Sequence, residues 1–116
     1  MDFKIYQTPT GNIAELQSDE VYAEVDEFVD ILGNANYQGT DKLIMQKSHF
    51  HPDFFELKTK LAGEVLQKFS NYRQKLAIVG DFSNYTSKSL RDFIRESNKL
   101  GHILFVESVE EALKKL

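Results

Sequence analysis

The chain has 116 residues, of which 41% are hydrophobic and 28% charged, enough for one globular domain spanning 1–116 and too few for two. It contains no cysteine, which excludes disulfides, thiolate metal sites and a cysteine nucleophile, and favours a cytoplasmic location. The net charge of -4 disfavours nucleic acid as a partner, and no apolar run approaches the roughly 20 residues that a membrane-spanning helix needs.

The first part of the chain predicts a hairpin followed by a helix. Apolar and polar residues alternate over 3–5 and again over 13–16, on either side of a segment of turn composition at 8–12. Apolar residues then recur at helical spacing and define a first helix: Val21, Val25, Phe28, Val29 and Leu32. This helix is expected to end near Gly33, with a turn at 36–39.

The rest of the chain predicts three further strands, each followed by a helix. A short strand at 42–46 precedes the longest helix, which is expected to begin at Pro52. Its apolar stripe consists of Phe54, Leu57, Leu61, Val65 and Phe69. The run 75–80 is almost wholly apolar, as expected of a parallel strand covered on both faces. The chain ends with a third helix over 87–99, a strand at 102–106 and a short helix capped by Ser108 and Glu111.

The predicted fold is α/β, with one mixed, mostly parallel five-stranded sheet and about four helices in the order β-β-α-β-α-β-α-β-α. Strands separated by helices are joined by right-handed crossovers and pair in parallel. This order is similar to that of the sulfate-transporter and anti-sigma-factor-antagonist (SpoIIAA-like) domains, which act as phosphorylation-switched or ligand-sensing modules. The switch serine of that family follows the first crossover strand, a position that only Ser48 approximates here.

Several stretches carry a second and more specific resemblance. They are Ala35-Asn36-Tyr37, Phe54 to Thr59, Leu61 to Glu64, Lys75 to Phe82 and Thr86 to Ile94. The amino-acid sequence of these stretches resembles that of a small bacterial family of uncharacterised proteins, domain-of-unknown-function family 4180. The resemblance extends over essentially the whole chain. This resemblance implies no activity, cofactor or catalytic residue.

The strongest candidate for a functional site is the segment 81–89. It leaves the carboxyl end of a buried strand and enters a helix, which is where open α/β sheets bind ligands. Unpaired N–H groups at the start of a helix attract anions, and hydroxyl groups and a lysine surround this one. The residues predicted to bind an anion or a partner are Asp81, Ser83, Tyr85, Thr86, Ser87, Lys88, Ser89 and Arg91.

One face of the third helix is basic and consists of Lys88, Arg91, Arg95 and Lys99. If this corner binds an anion, Lys88 and Arg91 are expected to supply the charge. The same pattern is equally typical of a solvated helix face, and Ser87 is an ordinary helix-capping residue. Both interpretations remain open from the sequence.

A His-x-His-x-Asp pattern occurs at His49, His51 and Asp53. In an extended segment it would place both imidazoles on one face. The pattern superficially resembles the metallo-β-lactamase motif, but Phe54 stands where that family has a further histidine, and the chain is too short for that fold. Because a helix start also explains Pro52 and Asp53, we predict no metal site and no cofactor.

Two hypotheses for the function follow. The first is a non-enzymatic regulatory module that binds a small anion or a protein partner at 83–91, switched by phosphorylation of a hydroxyl there and compatible with a homodimer. The second is a small enzyme that uses Asp81 as acid or base together with His49 or His51. A deep pocket joining Asp81 to a histidine would favour the enzyme, and a flat polar rim would favour partner binding. No Gly-x-Ser-x-Gly motif or Gly-rich phosphate loop supports other catalytic classes.

Overall fold

The computed structural model describes residues 1–116 and contains five strands and four α-helices. The strands are β1 (Asp2–Thr8), β2 (Gly11–Gln17), β3 (Lys42–Gln46), β4 (Lys75–Val79) and β5 (Ile103–Val106). The helices are α1 (Val25–Tyr37), α2 (Leu61–Asn71), α3 (Lys88–Leu100) and α4 (Val109–Lys115). Three short 3-10 turns lie between β3 and α2, at Lys47–His49, Pro52–Phe55 and Leu57–Thr59.

The strands form one sheet in the order β1-β2-β3-β4-β5. β1 and β2 pair antiparallel as the expected hairpin, with Tyr6 opposite Ile13. The other three neighbouring pairs are parallel. The predicted fold class, with its mixed sheet and its order of strands and helices, is therefore confirmed.

Three helices cover one face of the sheet, and one short helix covers the other. Residues of α1, α2 and α3 join the inward side chains of the strands in a core of 20 buried residues, among them Phe28, Phe69 and Leu76. On the second face α4 contacts β4 and β5, and Ala112 joins a smaller cluster of seven buried residues. Burial of β4 on both faces explains its nearly unbroken apolar sequence.

The first helix begins later than predicted, because Val21 does not belong to it. The residue after Val21, Tyr22, pairs with Phe50 in an isolated parallel bridge. Its N–H donates to the carbonyl of His49 at 2.7 Å, and its carbonyl accepts from the N–H of His51 at 3.0 Å. These bonds hold the segment extended, so that α1 starts only at Val25.

The first helix also ends later than predicted. It passes through Gly33 and Asn34 and continues to Tyr37, so the expected stop near Gly33 is wrong and the turn is reduced to the residues around Gly39. A glycine inside a helix costs about 1 kcal/mol. Ala35 is fully buried in the core one helical turn beyond Ile31. Burial of this last turn offsets the cost of the glycine.

The second helix is shorter than predicted. Pro52 begins a 3-10 turn, and the α-helix starts only at Leu61. The break lies at Lys60, whose φ of 66° is left-handed and cannot continue a right-handed helix. The apolar stripe misled the prediction because Phe54 is buried in the same core as Val65 and Phe69, although it reaches that core from a separate turn.

The ends of the last two helices follow the predicted capping residues. The hydroxyl of Ser87 accepts the N–H of Leu90 at the start of α3, and Gly101 ends that helix with a φ of 83°. In α4 the hydroxyl of Ser108 accepts the N–H of Glu111 at 3.1 Å. The carboxylate of Glu111 accepts from the N–H of Glu107 at 2.8 Å, one residue earlier than the expected capping box.

Candidate functional site

A cleft of about 670 Å³ opens at the edge of the sheet where β3 and β4 end. Its walls come from the segment 46–57, which follows β3, and from 79–90, which joins β4 to α3. Six of its 14 lining residues are hydrophobic: Phe50, Phe55, Leu57, Val79, Tyr85 and Leu90. The volume lies within the range of about 300–1,000 Å³ that small-molecule sites have in proteins.

The most distinctive group on the wall of this cleft is the ammonium of Lys47, the first residue after β3. Its Nζ lies 4.8 Å from the centroid of the Tyr85 ring, 5.4 Å from that of Phe82 and 6.0 Å from that of Phe55. It also donates to the main-chain oxygen of Asp81 at 2.7 Å. Lys47 forms no ion pair with a carboxylate. Three aromatic rings and one carbonyl therefore surround this cation, and the nearby carboxylate of Asp81 attracts it without a direct contact.

Gly80, at the end of β4, provides the space for this lysine. A Cβ atom at position 80 would lie 2.6 Å from the Cβ of Lys47 and 3.1 Å from its Cδ. Any larger residue would therefore push the lysine out of its place. The glycine is needed here for close approach and not for an unusual backbone conformation.

The residues predicted from the sequence are divided between three places. Tyr85, Thr86 and Ser87 line the cleft beside Lys47. Asp81 and Ser83 line a neighbouring depression of about 560 Å³, together with Gln46 and Glu107. The remaining three residues, Lys88, Ser89 and Arg91, line no cleft.

Two members of the predicted basic face are paired within their own helix. Lys88 Nζ lies 2.8 Å from Asp92 Oδ2, and Arg95 Nη2 lies 3.0 Å from Asp92 Oδ1. The hydrogen bond from Lys88 lowers the pKa of Asp92, and the same bond raises the pKa of Lys88. Arg91 is exposed and forms no ion pair. The carboxylate of Asp92 thus neutralises part of the basic face. Its position four residues after Lys88 already indicates an ion pair between the two side chains.

Asp81 closes a local turn. Its Oδ1 accepts the hydroxyl of Ser83 at 2.6 Å and the N–H of Ser83 at 2.9 Å. These two bonds lower the pKa of Asp81 from its ordinary value, with the hydroxyl as the larger cause. The carboxylate is therefore ionised at neutral pH and is occupied as an acceptor.

The two histidines of the His-x-His-x-Asp pattern lie in different surroundings. His49 is buried, and its Nδ1 accepts the N–H of Gln46 at 3.0 Å while its Nε2 lies 2.9 Å from the carbonyl of Ser18. Because Nδ1 accepts a hydrogen bond, Nε2 is the ring nitrogen that donates to the carbonyl of Ser18. His51 is half-exposed and uses Nδ1 to cap the turn at Pro52–Phe55. No group of three or more His, Cys, Asp or Glu residues is placed to hold a metal ion.

Lys47 and Ser48 line the cleft, as do Phe55 and Glu56. None of them was predicted to bind a ligand, although the sequence indicated Ser48 as the approximate position of a switch serine. A signal for the first two existed, because they directly follow β3 and carboxyl ends of parallel strands meet at one edge of a sheet. For Phe55 there was no such signal. Its turn ends at Glu56, whose backbone is extended, and a second 3-10 turn and the left-handed Lys60 lie between that turn and α2.

In a comparison with protein families, residues 9–116 match the one described as Domain of unknown function (DUF4180). The chain belongs to this family. No curated protein and no solved structure gives a significant match. The similarity to SpoIIAA-like domains therefore remains a similarity in the order of elements. No helix of the DUF4180 chain combines the length and the apolar character that crossing a bilayer requires.

Proposed function

We propose that the protein is a non-enzymatic module that binds a small molecule in the cleft beside Lys47. The observation that carries the proposal is the mixed lining of this cleft, in which hydrophobic and aromatic residues lie beside Lys47 and several polar side chains. Pockets of this composition are typical small-molecule sites. Their usual place in an open α/β sheet is the carboxyl edge of the strands, where this cleft lies.

The alternative hypothesis, an enzyme that uses Asp81 with a histidine, has less support. The cleft beside Lys47 contains no histidine, aspartate or cysteine. Asp81 and His49 line two separate depressions, and His51 lines none. Asp81 is held ionised by Ser83, and His49 has both ring nitrogens in hydrogen bonds. An acid–base pair would require these groups to face one common space.

The same proposal includes a regulatory role similar to that of SpoIIAA-like domains, which are switched by phosphorylation or sense ligands. It also includes a cytoplasmic location, which the absence of cysteine favours. The hydroxyls of Ser48 and Thr86 are exposed at the cleft. Phosphorylation of either would add about -1.5 to -2 charges near Lys47. Such a group would occupy the polar end of the cleft and compete with a ligand for it.

The test is a fragment screen by thermal shift and by amide chemical shifts in NMR, on the wild type and on a variant with a filled cleft. Ser48→Trp fills the cleft from an exposed position, and Ser70→Trp adds the same ring to an exposed position on α2. We expect fragments to shift amides of residues that line the cleft, and Ser48→Trp alone to abolish these shifts. If no fragment shifts these amides, or if the fragments bind Ser48→Trp unchanged, the proposal is wrong.

A further inference from the structure

The charges of the cleft indicate which chemistry its ligand has. Only two charged residues line it, and their charges are opposite: Lys47 and Glu56. Lys47 is half-buried between aromatic rings, whereas Glu56 is exposed to solvent. Water and salt screen an exposed carboxylate strongly and a half-buried ammonium much less. Lys47 is therefore the one cationic group that a ligand meets inside the cleft, with the exposed carboxylate of Glu56 on the wall and that of Asp81 close to the ammonium.

The cleft also offers several hydrogen-bond donors that are not used within the protein. An ammonium carries three N–H donors, and Lys47 gives one of them to the carbonyl of Asp81. The hydroxyls of Ser48, Tyr85 and Thr86 line the same space and form no hydrogen bond within the protein. Two free ammonium hydrogens and three free hydroxyls suit a ligand group that accepts several hydrogen bonds.

Hydrophobic residues form another part of the wall and favour an apolar body next to the accepting group. Phe50, Leu57 and Leu90 contribute hydrocarbon surface, and Phe55 and Tyr85 contribute ring surface beside the ammonium. A small, fully hydrated ion would leave this surface in contact with water. A molecule with an anionic end and an apolar body would cover it and would pair Lys47 at the same time.

We propose that the ligand is a small carboxylate with an apolar body, whose carboxylate pairs with Lys47 and whose body covers the apolar wall. This inference rests on the proposed function, because it assigns the ligand of the same cleft. A single ammonium matches the single charge of a carboxylate. Lys88 lies outside the cleft and is already paired with Asp92.

The experiment uses three probes of one shape and different charge: phenylpropionate, phenylpropionamide and phenylpropylamine. Each is titrated into the full-length wild type, Lys47→Met and Lys88→Met, and followed by amide chemical shifts. We expect phenylpropionate to shift cleft amides such as Gly80 and Thr86, and to bind about ten-fold more tightly than the amide or the amine. Lys47→Met should remove this preference, and Lys88→Met should preserve it.

The result separates the ligand class from the proposed function. If the amide or the amine binds in the cleft as tightly as phenylpropionate, or if Lys47→Met keeps the preference, the carboxylate assignment is wrong and the small-molecule site stands. If none of the probes shifts cleft amides at about 10 mM, which corresponds to about -3 kcal/mol, the assignment is also wrong. The fragment screen then decides the proposed function independently. Unfolding curves of both variants verify that they are folded.

Discussion

At position 80 the absence of a side chain leaves the space that Lys47 occupies. We expect Gly80→Ala to lower the free energy of unfolding by about 1–3 kcal/mol, because the new methyl group would lie 2.6 Å from the Cβ of Lys47. Gly63→Ala is the matched control, since nothing lies within 4 Å of its Cβ position in α2. The control should raise stability by about 0.5–1 kcal/mol.

Urea denaturation of both variants measures this difference. A double-mutant cycle with Lys47→Gly then assigns its cause. If the clash is the reason, Gly80→Ala should cost less when Lys47 is replaced by glycine. An unchanged cost would show that the loss arises from the backbone of β4 and that Gly80 does not position Lys47.

Gln74, just before β4, is a second residue whose surroundings lead to a prediction. Its side chain is only 1% exposed, and neither its Nε2 nor its Oε1 has a hydrogen-bond partner. Burial of an unpaired amide is costly, so Gln74→Met should raise the free energy of unfolding by about 1 kcal/mol. The exposed Gln7 provides the control, and Gln7→Met should change stability by less than about 0.5 kcal/mol. A loss of stability in Gln74→Met would instead indicate a buried water bound to the amide.

At the scale of elements, the start of α1 depends on the carboxylate of Glu27. One oxygen of Glu27 accepts the N–H groups of Ala23 and Glu24, both at 3.0 Å. These bonds lower the pKa of Glu27 from its ordinary value of 4.5, with Ala23 as the larger cause. Since the pKa is lower in the folded than in the unfolded chain, ionised Glu27 stabilises the fold above about pH 4.5. This contribution is lost as the pH falls through the folded pKa.

The prediction concerns Glu27→Gln, which keeps an acceptor oxygen and removes the charge. Wild type should be more stable than the variant at neutral pH, and the two melting temperatures should converge as the pH falls below about 4.5. Thermal melts from about pH 6 to about pH 3 measure this difference. A difference that stays constant over the whole range would mean that the charge of Glu27 does not contribute to the cap.

At the scale of the whole molecule, the two faces of the sheet are covered unequally. One short helix, α4, protects the second face, and Ala112 is fully buried where α4 meets the sheet. Ala112→Asp should therefore lower the free energy of unfolding by at least about 3 kcal/mol, because it places an unpaired charge in that interface. Lys114→Asp, on the exposed side of α4, should cost no more than about 1 kcal/mol. Equal unfolding curves for both variants would show that the second face does not need α4.

Patterns that depend on neighbours in the sequence determined the elements of this DUF4180 chain. The alternation at the hairpin, the apolar run of β4 and the capping residues of α3 identified their elements correctly, because pleating, burial and capping act over a few residues. The order of these elements in turn determined the α/β class and the parallel pairing. The same reasoning placed Tyr85, Thr86 and Ser87 at the carboxyl edge, where they line the cleft.

Only the tertiary structure decided the shape of the cleft and the charge inside it. The extended Glu56 and the left-handed Lys60 both separate the turn that carries Phe55 from α2, and residue preferences indicate neither conformation. Lys88, one of the two cations that the sequence marked, pairs with Asp92. The ammonium of Lys47 instead meets aromatic rings from two segments and the carbonyl of Asp81. The contacts of Lys47 with Asp81, Phe82 and Tyr85 join residues more than 30 positions apart, and no local pattern encodes them. They exist only because parallel strands bring their carboxyl ends to a common edge.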